Sequence, residues 1–472
     1  MASAGLAAFR RFRARAASEP SALSLARILN RIAYSGLPPV AVQYAKVLLA
    51  STLSSAASGL DIGSAAIIRG LAKEQGGKPE ATLWFDGAKL PANEAARANA
   101  MLSDSAASDD SDLRNVAHTG TCLTAVGLAL AERTGATGQD LLTAMVAGYE
   151  SAGRMGEAVG RTKEALSGSW GQGFHASVIV AFGGVVTAAR LLKLSDEQLA
   201  QAIGLTSTTM GGLAIGTNSW AREYHAGNAA LCAVNAALAA GRGYTVNPDM
   251  LEARAGFLAV FGGGKVDTTS LTRETGGQWE IARYLAIKLV PGAHALQPAV
   301  EAASNAARKA NVPPEEVAKI LVSGPQIRVT AGAKVPKDMI EAIHSLPYFL
   351  ASAVADKDFT WAHIAPEKIN RPMIATLIGR VEANPAPDTA HYNWGWGATV
   401  TIITRAGMAY SSTVDAPRGS APRGIEWSDI DAKYRALMPK SGLPAARIDQ
   451  ILQLIHDFDR VSKISQLTSL LA

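Results

Sequence analysis

Four short stretches of this chain place a histidine, an arginine or a lysine beside glycine or another small residue, where the backbone can turn and a ligand can come close. Three of the four lead into or lie beside long helical runs rich in Ala, Val and Leu. Side chains of these types transfer protons and bind anions, so together they indicate a buried pocket for an anionic small molecule. The stretches are A-H-T-G at Ala117–Gly120, W-G-Q-G-F-H-A-S at Trp170–Ser177, W-A-R-E-Y-H-A-G at Trp220–Gly227 and K-L-V-P-G-A-H at Lys288–His294.

An acid-rich run, residues 103–112, precedes His118. A histidine can exchange a proton near neutral pH, and an adjacent carboxylate fixes its tautomer. His118 is therefore a candidate general acid or base, with Asp109 or Asp112 supporting it. The alternative interpretation is a solvated Ser- and Asp-rich loop that caps the next helix.

The second and third stretches favour anion binding. His175 opens an apolar helix, and because a helix start favours an anion over a cation, a neutral His175 could face a substrate carboxylate. Its alternative role is a capping or core histidine. Arg222 can clamp a carboxylate through two parallel hydrogen bonds but cannot act as a base. His225 is expected to support the turn into the following helix.

The chain offers no motif for a metal or a nucleotide. It has no H-E-x-x-H, no C-x-x-C and no close histidine pair, and Gly262–Lys265 lacks the spacing of a phosphate-binding loop. Cys122 and Cys232 lie in apolar helical contexts and are interpreted as buried free thiols. Two cysteines cannot hold a cubane iron–sulfur cluster in the usual way. We therefore expect no metal and no other cofactor.

Composition indicates a well-buried protein, because 48% of its 472 residues are hydrophobic and only 18% are charged. A chain longer than ~250–300 residues usually forms more than one core, so two domains are expected. The net charge of +5 comes without a basic stripe of interleaved aromatics, which argues against a nucleic-acid partner. Low charge and abundant small residues favour closely packed helices and a homodimer.

Two segments bear on localisation. The best candidate for a membrane span, Ala176–Leu194, includes Arg190 and Lys193, whereas a span needs ~20 predominantly apolar residues. We interpret it as a buried core helix and expect no membrane association. The first 18 residues hold four arginines and no acid, like a mitochondrial presequence. We favour a disordered basic tail on a cytoplasmic protein, with the mitochondrial matrix as the alternative.

Apolar residues recur at spacings of three and four from residue 21 to about 271, which predicts helices almost throughout. After about residue 277 the pattern becomes strand-like, and helical spacing returns near Trp427. Helices are predicted over Gln297–Ala310, Met339–Ala355, Trp427–Leu437 and Ala446–Phe458, and strands over Ala282–Val290, Ala318–Ser323, Gln326–Thr330, Ile374–Glu382, Ala398–Arg405 and Ala409–Val414.

The chain resembles the 2-methylcitrate dehydratase (MmgE/PrpD) family in the order and local sequence of the four stretches. It also resembles that family in S-L-P-Y-F-L-A-S-A-V at Ser345–Val354 and D-A-P-R-G-S at Asp415–Ser420. The resemblance runs from about Ile32 to about Arg460. That family also includes cis-aconitate decarboxylase and iminodisuccinate epimerase. The resemblance implies cofactor-free chemistry at the carbon beside a carboxylate of a small di- or tricarboxylate.

The resemblance also assigns roles to single residues. Lys288 matches the family's Lys-x-x-Pro and would stabilise developing negative charge, while Tyr348 matches a family tyrosine or else packs beneath the lid. His294 lies one residue away from a family histidine position and could replace it. His118 and His175 would supply and return protons. The chain departs from the family pattern at Thr119, Ala176, Arg222 (usually lysine), Ala293 and Gln297.

The resemblance implies a mainly α fold: a large all-helical domain built from both chain ends, and a smaller α/β lid. We expect a basic tail at 1–20, the helical domain at 21–275 and 416–472, and the lid at 276–415. The expected activity is that of a lyase, similar to 2-methylcitrate dehydratase, with an epimerase or decarboxylase of the same family as the first alternative. A non-catalytic relative that binds a carboxylate is the second.

Overall fold

The computed structural model describes residues 19–160, 173–325, 327, 329, 334–384 and 397–472. Over these residues the protein is mainly α-helical, as its sequence predicts. The basic tail, residues 170–172 of the second stretch and part of the strand predicted at 326–330 lie outside the described residues. No helix in the described ranges is long and apolar enough to cross a membrane.

The first half of the chain folds into successive helices, where apolar residues recur at three and four positions. Two of them begin with reciprocal caps, Thr137 with Asp140 and Ser195 with Gln198, which satisfy amides that a first helical turn leaves unpaired. The helices are α1 Ser21–Asn30, α2 Pro39–Gly59, α3 Gly63–Gln75, α4 Ala92–Ser105, α5 Thr119–Thr134, α6 Gly138–Ala158, α7 Ser177–Leu191, α8 Asp196–Thr209 and α9 Ala221–Ala240.

Glycines allow these helices to approach one another closely. A Cβ built on Gly148 of α6 would lie 2.2 Å from Thr187 Oγ1 and 2.7 Å from the Gly183 carbonyl oxygen of α7. A Cβ on Gly227 of α9 would lie 2.3 Å from Cγ of Met101 in α4. Both helix pairs therefore depend on the absence of a side chain at the contact.

The second half contains most of the β-structure. Strand β5 pairs parallel with β6 and antiparallel with β7, and β7 pairs antiparallel with β8, so the sheet order is β6-β5-β7-β8. The strands are β1 Ala81–Thr82, β2 Lys89–Leu90, β3 Asp110–Asp112, β4 Leu285–Ile287, β5 Val317–Ser323, β6 Val381–Ala383, β7 Ala398–Thr404 and β8 Ala409–Val414. The later helices are α10 Phe257–Phe261, α11 Thr269–Thr272, α12 Glu280–Tyr284, α13 Gln297–Ala310, α14 Met339–Ala342, α15 Leu346–Asp356, α16 Pro366–Ile369, α17 Pro372–Ile378, α18 Trp427–Leu437, α19 Ala445–His456 and α20 Ser465–Thr468.

The strand predicted over residues 374–382 is wrong for most of its length, because residues 372–378 form helix α17. Ile374, Leu377 and Ile378 are buried at helical spacing, and a proline in the first turn favours a helix start. Strand β6 begins only at residue 381.

Two further predicted elements are divided. The helix predicted over residues 339–355 is broken between α14 and α15, because Ser345 caps α15 and Pro347 lies in its first turn. The strand predicted over residues 282–290 begins as helix α12, and only residues 285–287 pair as strand β4.

The described residues form two large hydrophobic cores. The main core draws on residues 22–287 and again on residues 425–471. The second core lies within residues 299–414, where α13, α15 and α17 pack with the sheet. We call residues 288–414 the α/β segment. Its function as a lid stays a prediction.

We expect Gly148→Ala to lower the free energy of unfolding by about 1–3 kcal/mol, because the added methyl group must displace the backbone of α7. Gly70→Ala is the matched control, since a Cβ on this glycine inside α3 meets nothing within 4 Å. It should stabilise the protein by about 0.5–1 kcal/mol, because alanine loses less backbone entropy than glycine in a helix. Urea denaturation checks both values, and equal effects of the two changes would contradict the close contact.

Candidate active site

The pairing of β3 with β4 brings together two charged residues that are 179 positions apart in the sequence. The Lys288 amide donates to the Asp109 carbonyl oxygen over 3.1 Å, and Lys288 Nζ lies 2.7 Å from Asp109 Oδ1. Both side chains are almost fully shielded from solvent, with 2% and 0% exposure. The centre of the site is therefore a buried ion pair held by strand pairing.

His118 lies against the other oxygen of the same carboxylate. Its Nδ1 is 2.7 Å from Asp109 Oδ2 and 2.7 Å from the Asp110 carbonyl oxygen. Both partners accept hydrogen bonds, so Nδ1 carries a hydrogen. Burial alone would lower the pKa of the His118 imidazole, but the Asp109 charge raises it above its usual value. His118 is therefore suited to hold a proton and deliver it.

The charges of His118 and Lys288 decide the state of Asp109. Burial alone would raise the pKa of its carboxyl group, but these two positive charges lower it well below the usual range. The neighbouring Asp110 behaves in the opposite way, because burial and then the Asp109 charge raise its pKa to about 7. Asp110 accepts hydrogen bonds from the Gly120 amide at 2.9 and 3.1 Å.

Asp112, predicted together with Asp109 to support His118, instead closes the turn after β3. Its Oδ1 accepts the amides of Arg114 and Asn115 at 2.8 and 3.1 Å. Of the two carboxylates, Asp109 is the one in contact with His118. Asp104, Asp109, Asp110 and Asp112 are all buried, so the alternative of a solvated loop is wrong.

Arg222, at the start of α9, binds the C-terminal end of α4. Its Nε lies 3.1 Å from Asp104 Oδ2, and its Nη2 donates to the carbonyl oxygens of Asp104 and Ser105 at 2.7 and 3.1 Å. The guanidinium predicted to clamp a substrate carboxylate thus already holds a carboxylate of the protein.

Asp104, Asp109 and His118 could in principle hold a cation, because one possible ligand atom from each lies within 4.8 Å of the others. Both carboxylates already face positive side chains, Lys288 and Arg222. The arrangement therefore fits an ion-pair network better than a cation site. That the protein uses no metal stays a prediction.

His294 completes the centre of the site. It is 3% exposed, and neither ring nitrogen has a hydrogen-bond partner among the described residues. Burial, followed by the positive charges of Lys288 and His118, lowers the pKa of its imidazole well below the usual value. His294 is thus a neutral imidazole whose two nitrogens are available to a ligand.

His175 and His225 form a second pair, with ring centroids 5.0 Å apart and planes at 51°. His175 Nδ1 accepts the Ser177 amide at 3.2 Å and lies 2.9 Å from Ser177 Oγ. The charge of Asp104 acts on both His225 and His118, so this carboxylate joins the pair to the centre of the site. His225 lies within α9 rather than at the turn before it.

Tyr348 is placed elsewhere. Its hydroxyl donates to the His363 carbonyl oxygen, and its ring packs edge-on against Phe349 and Phe359 in the second core. The structure therefore brings together His118, His294, Lys288, Asp109 and Arg222, with His175 and His225 beside them, but does not bring Tyr348 to this group.

Two family models match most of the chain: the MmgE/PrpD N-terminal domain over residues 23–269 and the MmgE/PrpD C-terminal domain over residues 291–457. The chain belongs to the MmgE/PrpD family. It is 24% identical over 356 residues to cis-aconitate decarboxylase of Homo sapiens, covering 74% of this chain and 72% of that protein. It is 25% identical over 359 residues to cis-aconitate decarboxylase of Mus musculus, covering 74% and 71%.

Sequence reasoning missed Lys433 as part of this MmgE/PrpD site. Its Nζ donates to Ser51 Oγ at 2.7 Å and to the Ser108 carbonyl oxygen, directly before Asp109. Burial lowers the pKa of this lysine to about 7, although the Asp109 charge opposes the shift. A signal was present in the sequence, because Lys433 lies three residues after Ile430, on the apolar face of α18.

Sequence reasoning also missed His344, which lines a cavity of about 40 Å³ together with Arg222 and Ser105. The charges of Arg222, Lys288 and His118 all act on it. The sequence feature that could have identified His344 is its position directly before the S-L-P-Y motif.

Asp110→Asn should change how stability depends on pH. Between the unfolded pKa of 3.8 and the folded value of about 7, the native state binds a proton that the unfolded state has lost, so this group lowers stability as pH rises. The variant should therefore gain stability over the native protein from pH 4 to pH 7, with no further gain above that. Denaturation curves at several pH values measure the difference. The exposed Asp358→Asn should show no such trend, and a flat difference for Asp110→Asn would contradict the raised pKa.

Proposed function

We propose that this protein is a cofactor-free lyase that acts on a small di- or tricarboxylate by moving a proton at the carbon beside a carboxylate. The single observation that carries the proposal is His294, a buried imidazole next to the Lys288–Asp109–His118 group whose two nitrogens have no hydrogen-bond partner in the described part of the chain. A buried polar group without a partner costs about 1–3 kcal/mol, so a ligand or water molecule is expected to supply one.

The charges around this position favour an anionic ligand. Lys288 and protonated His118 both contact Asp109. Arg222 and Lys433 lie at the edges of the site, on Asp104 and on the Ser108 carbonyl oxygen. Positive groups held in a buried site stabilise the negative charge that develops when a proton leaves the carbon beside a carboxylate. Membership of the MmgE/PrpD family and the two cis-aconitate decarboxylases agree with a carboxylate substrate.

In the dehydration that we propose first, a neutral imidazole of the site takes the proton from the carbon beside the carboxylate, and the C–H electron pair forms the new double bond. The C–O bond then breaks, and the hydroxide leaves as water with a proton from His118. Decarboxylation is the second candidate, favoured by the activity named for both relatives. There a C–C bond breaks, carbon dioxide leaves, and the carbon takes the His118 proton.

The test is proton exchange in deuterated water over a panel of di- and tricarboxylates, followed by proton NMR. The native protein should exchange or convert at least one acid, and His118→Gln should slow the reaction by ~10²–10⁴-fold, the usual effect of losing a general acid or base. His456→Gln is the matched control, because this histidine pairs with Asp431 and packs on Trp427 rather than on His118, Asp109 or Lys288.

The products separate the candidate reactions. A new double bond without gas release indicates dehydration, released carbon dioxide indicates decarboxylation, and inversion of configuration indicates epimerisation. Binding of a tricarboxylate without any exchange would contradict the enzyme and favour a non-catalytic relative.

A further inference from the structure

His344 lies in the turn between α14 and α15, on the side of the α/β segment that faces α9. Its Nδ1 is 3.0 Å from the Ile340 carbonyl oxygen. Because a carbonyl oxygen can only accept, Nδ1 carries the hydrogen and Nε2 of the neutral ring keeps its lone pair. No group in the described part of the chain forms a hydrogen bond with Nε2.

The cavity beside His344 has room for part of a ligand. Its volume of about 40 Å³ exceeds the roughly 10–15 Å³ that one water molecule needs, so it has room for a small group such as one carboxylate. Arg222 and Ser105 form the opposite wall. The charges of Lys288 and His118 also act on His344, so the remainder of a larger acid would extend toward these two groups.

The groups around His344 keep its ring neutral. Arg222 and Glu223 of α9 line the same cavity, and the positive charges of Arg222, Lys288 and His118 act on the ring. Burial first, and then these charges, lower the pKa of His344 below the usual histidine value, while the bond to Ile340 opposes the shift. A neutral imidazole among cations can accept a proton near neutral pH.

Three other groups of the site are less suited to this task. His118 donates its Nδ1 hydrogen to the Asp110 carbonyl oxygen, and the nearby Asp109 charge raises its pKa against the effect of burial, so it is suited to donate. His175 uses its Nδ1 lone pair for the Ser177 amide, which leaves the hydrogen on its other nitrogen. Arg222 cannot act as a base.

We propose that His344 is a catalytic residue of the reaction proposed above, and that its Nε2 takes the proton from the carbon beside the substrate carboxylate. The C–H bond breaks, its electron pair stays on the substrate as an enediolate, and the proton forms the imidazolium of His344. His118 then supplies the proton that leaves with the product or returns to the carbon. This inference rests on the proposed function, and it divides the acid and the base between the main core and the α/β segment.

The first experiment measures the native protein, and a variant serves only to assign the resonance. Nitrogen-15 spectra of the histidine-labelled native protein, with the resonance assigned by its loss in His344→Asn, should show His344 neutral at pH 7 with its hydrogen on Nδ1. A hydrogen on Nε2, or a protonated ring at pH 7, would overturn the proposal whatever the activity of the enzyme.

The second experiment measures deuterium exchange and turnover in His344→Gln and in the control His456→Gln, on the acid that the native protein converts. We expect kcat to fall by ~10²–10⁴-fold in His344→Gln with KM changed far less, while the control stays native-like. In the native protein, kcat/KM should rise with pH below neutrality, and this rise should be absent from His344→Gln. Thermal unfolding establishes that both variants are folded. If His344→Gln does not fold, His344→Asn is used in its place.

The outcomes separate the two proposals. Native-like exchange in a folded His344 variant, while His118→Gln is slow, overturns the function of His344 and leaves the proposed function intact. A native protein that exchanges no acid of the panel overturns the proposed function and the assignment of His344 as a base with it. A similar loss of kcat in His456→Gln would show that the effect of His344→Gln is structural, which also overturns the proposal.

Discussion

The buried ion pair between Lys288 and Asp109 is the interaction on which the site depends. Each charge is expensive to remove from water, and removing one partner of such a pair typically costs about 3–5 kcal/mol because the other is left uncompensated. Pairing of β3 with β4 holds the two segments in register, so the backbone enforces the contact. The second oxygen of the same carboxylate then fixes the tautomer of His118 and raises its pKa. One aspartate therefore sets both the main positive charge of the site and its proton donor.

Hydrogen bonds to the histidine rings distribute the proton-transfer roles. A carboxylate and a carbonyl oxygen hold the hydrogen of His118 on Nδ1, whereas a backbone amide uses the Nδ1 lone pair of His175. Over the residues that the structure describes, His294 has no such partner, and burial and nearby positive charge lower its pKa. Groups whose surroundings push their pKa values apart are the usual basis for dividing acid from base in a site. Here the hydrogen-bond partners and the charges around each ring set this division.

Sequence patterns predicted the helices well because burial on one face imposes a spacing that is visible in the chain. Strands β7 and β8 were also predicted, since alternating apolar residues there are bounded by turns. The helix at residues 372–378 was mistaken for a strand because a short apolar run fits either periodicity, and the proline at its start was the better signal. The burial of the acidic run before His118 could not be predicted, because it results from contacts with residues more than 100 positions away, such as Arg222 and Lys288. Lys433 was missed for the same reason, since its partners lie at Ser51 and Ser108.

The arginine at position 222 bears on what the α/β segment contributes to the proposed reaction. Instead of the lysine that the resemblance implies at this position, this chain has a guanidinium that is committed to Asp104 and to two carbonyl oxygens at the end of α4. A guanidinium stays protonated at any physiological pH, so it can hold charge but cannot accept a proton. Any proton-accepting role at this edge of the site must therefore come from a neighbour. The imidazole across the cavity belongs to His344, and its pKa is lowered by burial and by the charges around it. Because the α/β segment carries this ring, the base that we propose lines the cavity only while this segment lies against α9.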